Sequence, residues 1–185
     1  MKKIILSLLA SSLLVVACNS DKKTETSDSK DTMSSDKGAM SSAGESKAEK
    51  NRETALAASK AVNAGDLDVA FKNVAPDAVD YNDGSMPPMK NIDSIKAGIK
   101  GWMAAFEVKE GNMEAFSNAD GSKVIVTGEF TGTFKNDFMG MKATGKSFKY
   151  TDGDIFTFND DGKITSHKSI QSNMTLISQV GAKMK

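Results

Sequence analysis

Acid–base chemistry needs carboxylates, imidazoles, phenols or thiols gathered in one place, and this chain is sparing with three of the four. It has one histidine, His167, one cysteine, Cys18, and two tyrosines, Tyr81 and Tyr150. Carboxylates are plentiful, and one pair is suggestively placed. In "SFKYTDGDIFTF", Asp152 and Asp154 alternate with Tyr150, Phe148, Phe156 and Phe158 at a spacing of two. If that segment is a strand, the acids share a face with the aromatics. A carboxylate on an apolar concave face would have a raised pKa and could exchange protons with a ligand. Asp154 is the leading acid/base candidate on this reading, with Tyr81 as an assisting hydrogen-bond donor. The plainer reading is that Gly153 marks a bulge that flips the register and puts an aspartate in water. A lone histidine offers no metal-ligand spacing, so no metal site is expected, and His167 reads as a surface or half-buried residue. Lys146 follows Thr144-Gly145 without the glycine-rich lead of a phosphate loop, so no cofactor is implied.

Cys18 cannot form an internal disulfide, because there is no second cysteine. Its surroundings speak of address instead. Lys2 and Lys3 precede an apolar run over residues 4–17, the form of a secretory signal peptide and too short for a spanning helix of ~20 residues. "LVVAC" (14–18) resembles the lipobox of bacterial lipoproteins. That resemblance implies cleavage before Cys18, lipidation of its sulfur by diacylglycerol and acylation of the new amino terminus. The implied location is the bacterial cell envelope, anchored to a membrane by lipid. The mixed "SDKKTE" after Cys18 resembles sorting signals and slightly favours the outer membrane. Residues 19–50 hold no Ile, Leu, Val, Phe, Trp or Tyr, so they are expected to form a disordered polar tether. The expected organisation is therefore a signal peptide at 1–17, a lipidated cysteine and tether at 18–50, and one folded domain at 51–185.

The domain must supply the elements that position any site. All nine Phe, both Tyr and Trp102 lie between Phe71 and Phe158, which places the core. Helices are predicted at 52–66, at 67–74, and most clearly at 91–106. There Ile92, Ile95, Ile99, Trp102 and Phe106 form an apolar stripe behind a cap at Asn91. A brief strand is expected around Val79 and Tyr81. Alternation then predicts strands at 108–116, 123–134, 148–158 and 163–171, and a closing helix at 173–183. Helices followed by a run of strands argue for an α+β fold, cone-shaped, with a strongly curved antiparallel sheet wrapped around amino-terminal helices. A cone leaves a hollow, a usual place for a ligand. With 24 basic and 24 acidic residues, less Lys2 and Lys3 after cleavage, nothing forms a basic stripe and no nucleic-acid partner is expected.

Several segments resemble SnoaL-like polyketide cyclases of the nuclear-transport-factor-2-like superfamily. They are Gly132-Thr133, Phe138-Met139-Gly140, Thr144-Gly145-Lys146, Asp154-Ile155-Phe156, Gly162-Lys163-Ile164 and Gln179-Val180-Gly181. The resemblance spans most of 52–182 and implies the cone fold. Family cyclases place an acid/base aspartate where this chain has Ser172, and they often have histidine at the position of Tyr81 and tryptophan at that of Lys168. A serine cannot replace the aspartate without a base beside it. The leading expectation is thus a lipid-anchored domain that binds a small apolar ligand or a partner protein without catalysis. The ligand would be met by Tyr81, Trp102, Phe130, Tyr150, Asp154 and Ser172. One alternative is an isomerase, cyclase or dehydratase using Asp154. Another is a structural envelope module that forms a homodimer through its open sheet.

Overall fold

The computed structural model describes residues 37–183, so Cys18, the lipobox and the signal peptide lie outside the described residues. The order of elements is α1 (Lys37–Asn63), α2 (Leu67–Phe71), β1 (Val74–Asp80), α3 (Ile92–Ala105), β2 (Phe106–Ser117), β3 (Lys123–Phe134), β4 (Ser147–Phe158), β5 (Ile164–Ser169) and α4 (Asn173–Val180). Among the described residues no helix is long and apolar enough to cross a membrane.

Caps set the helix ends. The Asn91 carboxamide accepts from the Ser94 N–H at the start of α3. Gly65, at φ +82°, follows the end of α1. α1 begins earlier than expected: the last part of the predicted tether is helical from Lys37. The physical reason lies at its docking point. Ala48 is buried against the β2–β3 turn, where a side chain on Gly121 would come within 2.6 Å of the Ala48 Cα. Asn51, also buried, donates to the Gly121 carbonyl at 2.8 Å. Small residues without apolar periodicity can therefore still pack where a glycine lets two backbones approach closely.

The five strands form one curved, unclosed sheet in the order β1-β5-β4-β3-β2. The pairs among β2, β3, β4 and β5 are antiparallel as expected, but β1 runs parallel to β5. Pro76 lies within β1, which is an edge strand and tolerates a missing donor. The register slips between Val74 and Val79, around that proline. Two further slips bend the sheet, between Glu110 and Met113 in β2 and at Thr165 in β5. Gly153 is not a bulge: β3 and β4 pair without interruption from Lys123↔Thr157 to Thr133↔Ser147. Asp152 and Asp154 therefore keep the parity of the aromatics.

The concave face carries Val124, Val126, Phe130, Phe156 and Phe158, packed on Ala55 and Ala58 of α1. A second cluster joins Phe106, Phe134 and Phe148 to Leu176 and Val180 of α4. Each of these large side chains contributes about 1.5–3 kcal/mol by burial. The alanine face of α1 lets the helix lie close to the sheet at one end. The sheet's aromatics and α3 hold it open at the other, and a hollow remains between them.

Candidate functional site

The site is a product of strand register. Asp80 on β1 stands opposite His167 on β5, and His167 stands opposite Phe156 on β4. Asp154 is two residues along β4 from Phe156, which places it diagonal to the imidazole. His167 Nδ1 lies 3.0 Å from Asp80 Oδ1, and Nε2 lies 3.0 Å from Asp154 Oδ1. The ring packs on Phe156 at 5.3 Å between centroids. The arrangement is satisfied when both ring nitrogens carry protons and both carboxylates accept. A single extra residue, Thr165, makes it so. Phe158 pairs with Ile164 but Thr157 pairs with Ser166, and this slip turns His167 to the concave side.

Asp80 is the most enclosed member of the trio, at 6% exposure. Its backbone exchanges two 2.8 Å hydrogen bonds with Met89, and its Oδ1 also accepts from the Asn82 N–H at 2.8 Å. Burial alone would raise its pKa, but the hydrogen bond and charge of His167, with the Asn82 N–H, bring it below the ordinary value. Burial likewise pulls the imidazole down. The hydrogen bonds to Asp154 and Asp80, and their charges, outweigh this and raise His167 to about 10. It is an imidazolium at neutral pH. Burial and the nearby charges of Asp152 and Asp154 push the Tyr150 phenol well above its ordinary value, so it stays protonated and can only donate from its hydroxyl or accept on a lone pair.

These groups open onto a cavity of about 530 Å³ between the concave sheet, α1 and α3. That is a size suited to a small organic molecule. Its wall is mainly apolar, from Ala58, Val62, Phe71, Ile95, Ile99, Phe138 and Met89 among others. Of the residues proposed from sequence, Asp154, Trp102, Phe130 and Tyr150 line it together. Phe130 and Tyr150 are stacked at 5.7 Å, and Trp102 is tilted on Phe106 at 5.6 Å. Tyr81 and Ser172 are not in the wall. Tyr81 is 43% exposed, and its backbone N–H donates to the His167 carbonyl. Ser172 is exposed and caps α4, its hydroxyl accepting from the Met174 N–H. Asp152 is drawn aside by Ser169 Oγ and the N–H groups of Gly153 and Gln171. Burial and the charge of Asp154 nevertheless raise its pKa. Among the described residues no group of His, Cys, Asp and Glu is placed to hold a metal ion.

His167 and Asp80 are the functional groups that sequence reasoning missed. Regular alternation from buried Ile164 would send His167 outward, and no glycine or proline marks the slip at Thr165. The faint signal was chemical: a single histidine on a strand beside an aspartate-rich neighbour.

The profile of the SnoaL-like polyketide cyclase family matches residues 52–180. No curated protein matches the chain. Solved structures share its fold. A candidate polyketide cyclase from Xanthomonas campestris pv. campestris is 18% identical, with a TM-score of 0.66 over 72% of this chain and 98% of its own. An NTF2-like protein from Burkholderia xenovorans LB400 is 18% identical, with a TM-score of 0.59 over 72% and 97%. AclR, a candidate hydroxylase from Streptomyces galilaeus, is 22% identical, with a TM-score of 0.56 over 72% and 97%.

Proposed function

This chain belongs to the SnoaL-like polyketide cyclase family, and from that premise we propose that its cavity binds a small, largely apolar carbonyl compound and moves a proton on it. The observation that carries the reading is the imidazole of His167 held at 3.0 Å from each of two carboxylates in the wall of an otherwise apolar cavity. Two acids and one imidazolium leave a net negative charge there. A purely structural core has no use for that charge, whereas proton transfer does. Asp154 is the base. Its Oδ1 is held by His167 at the cavity wall, and a carboxylate there can take a proton from carbon next to a ligand carbonyl. The enolate oxygen that forms is met by a donor, for which the protonated Tyr150 hydroxyl is suited. Returning the proton from Asp154 to another carbon gives isomerisation. Attack by the enolate on a second carbonyl gives cyclisation.

The absence of an aspartate at Ser172 argued for binding without catalysis. The trio on β1, β4 and β5 supplies carboxylates from elsewhere and favours the catalytic reading. Incubation of β-tetralone with the protein in deuterium oxide tests it. Faster exchange of the α-hydrogens than in buffer is expected, and its loss in Asp154→Asn. Binding of the ketone with no exchange above background would refute catalysis and leave a ligand carrier. The same proposal places the domain at the bacterial cell envelope, tethered through a lipidated Cys18, on the strength of "LVVAC" and the charged, apolar lead before it.

A further inference from the structure

Two non-glycine residues among the described ones have a positive φ, Asn82 and Met139, both at +47°. After glycine, asparagine is a type that this backbone region favours; an apolar methionine is not. Met139 is held there by a two-residue hairpin turn. Phe138 and Met141 exchange two backbone hydrogen bonds, at 3.0 and 2.9 Å, across Met139-Gly140. With Gly140 at +81°, both central residues have the positive φ of a type I′ turn, whose first residue is usually asparagine, aspartate or glycine. Met139 is also 61% exposed. It therefore strains the backbone and gains little burial for the fold. It does line the cavity. Met86, 52% exposed on the loop between β1 and α3, lines it too, so two methionines mark the rim.

The rim stands well away from the carboxylates. Phe138, next to Met139, packs on Phe106 at 5.6 Å, and Phe106 packs on Phe148 at 6.1 Å. Phe148 is six residues along β4 from Asp154, roughly 20 Å by strand rise. The cavity thus runs lengthwise along β4, from a charged end at Asp154 to an apolar rim at Met139. We propose that Met139 is a specificity-determining contact, which covers the far end of the ligand. The ligand class is an elongated ketone whose apolar body reaches from a carbonyl at Asp154 to the rim, a long-chain alkyl ketone being the simplest. Methionine suits this task, because its flexible thioether adapts to the surface that it covers. An apolar chain at the rim takes Met139 out of water, a gain that the free protein lacks. The inference deepens the reading above and rests on it only in that the carbonyl lies at Asp154; it does not require catalysis.

Trp102 is the one tryptophan and lines the cavity, so its fluorescence reports occupancy. The test titrates 2-undecanone and the shorter β-tetralone into wild type and Met139→Asn. Affinity for 2-undecanone is expected to fall about tenfold in the variant, the equivalent of losing ~50–60 Å² of apolar contact. Affinity for β-tetralone, which stops short of the rim, is unchanged. The melting temperature of Met139→Asn stays the same or rises, because asparagine accepts the turn. Equal affinity of the two proteins for 2-undecanone overturns the proposal, and deuterium exchange that persists on β-tetralone would then leave the acid–base reading standing without it. An equal loss for both ketones also overturns it, since the effect would belong to the cavity as a whole. So does a fall of several degrees in melting temperature, which would show Met139 holding the fold. Sedimentation of wild type as a dimer and Met139→Asn as a monomer overturns it as well, by putting a second copy on the rim. Absence of deuterium exchange with the 2-undecanone contrast intact refutes the acid–base function and leaves the Met139 contact standing. Failure of both ketones to bind wild type overturns both.

Discussion

Replacing His167 with glutamine removes the positive charge that lies between Asp80 and Asp154, and the cost can be worked from the structure. The imidazole moves from its ordinary 6.5 to about 10 in the folded protein. Each tenfold in proton affinity is worth about 1.4 kcal/mol, so the ceiling is roughly 5 kcal/mol. The side chains of His167 and Asp154 are 31% and 26% exposed, and water screens that end of the bridge. Asp80, nearly enclosed, is left uncompensated, and breaking such a buried pair costs about 3–5 kcal/mol. The expected loss in His167→Gln at neutral pH is therefore about 3 kcal/mol. The sign with pH follows from the direction of the shift. A histidine raised above its unfolded value contributes fully below about pH 6.5, and the contribution drains away as pH climbs through about 10. Asp80 is lowered, so its share is present above 3.8 and is lost as pH falls through its folded value. Urea unfolding of wild type and His167→Gln across this range gives a stability difference in which the shared lysines cancel. The difference should be largest between about pH 4 and 6.5, still substantial at neutral pH, and shrink toward pH 10. Because the chain has one histidine, the ring protons of untagged protein report the same titration by NMR without assignment. A midpoint near 6.5, or a stability difference flat from neutral to alkaline pH, would refute the bridge.

Three other perturbations test separate parts of the account. Gly132→Ala would put a Cβ 2.3 Å from the Glu107 carbonyl oxygen and 2.5 Å from the Phe148 ring, so it should lower the urea midpoint by the equivalent of about 3 kcal/mol; an unchanged midpoint would mean that β2 and β4 are not packed as described. Cys18→Ser should shift the full-length protein from the membrane to the soluble fraction and abolish labelling by fatty acid, whereas retention with label would end the lipid-anchor proposal. Phe116 and Ile125 are cross-strand partners left exposed on the sheet. We propose this row as the face of a homodimer, so sedimentation should find a wild-type dimer that Phe116→Lys converts to monomer, and a monomeric wild type would refute it.

What the sequence disclosed depended on whether a residue's placement was a local matter. β3 occupies the predicted 123–134, because Val124, Val126, Phe130 and Phe134 alternate without interruption. Asn91 caps α3 where a capping residue before an apolar stripe must. The start of α1 was not legible, since Ala48 is ordered by Gly121, far along the chain, and not by its own neighbours. A bulge at Gly153 would have turned an aspartate away from the aromatics, but that glycine is small for another reason: a Cβ there would meet Ile170 at 3.0 Å. His167 and Asp80 were hidden more deeply. Their meeting needs a parallel edge pairing slipped around Pro76 and a one-residue slip at an unremarkable threonine, and neither is written in any short stretch.

That geometry joins the chemistry to the fold at its weakest seam. β1 is an edge strand with an interrupted ladder to β5, and the Asp80–His167 bond helps to fasten it. Substitutions at His167 or Asp80 therefore change stability and proton transfer together, and loss of activity in them cannot by itself assign a chemical role. Asp154 is different. It sits on the inner strand β4, whose pairing with β3 is unbroken, and its side chain is a quarter exposed to the cavity. Asp154→Asn keeps the size of the side chain and leaves Asp80 to hold the imidazolium. It should cost about 1 kcal/mol of stability, the scale of a partly screened ion pair, with the cavity still able to bind a ketone. Deuterium exchange on the ketone should fall to the buffer rate. If Asp154→Asn retains exchange at the wild-type rate, the base is not Asp154, whatever happens at His167.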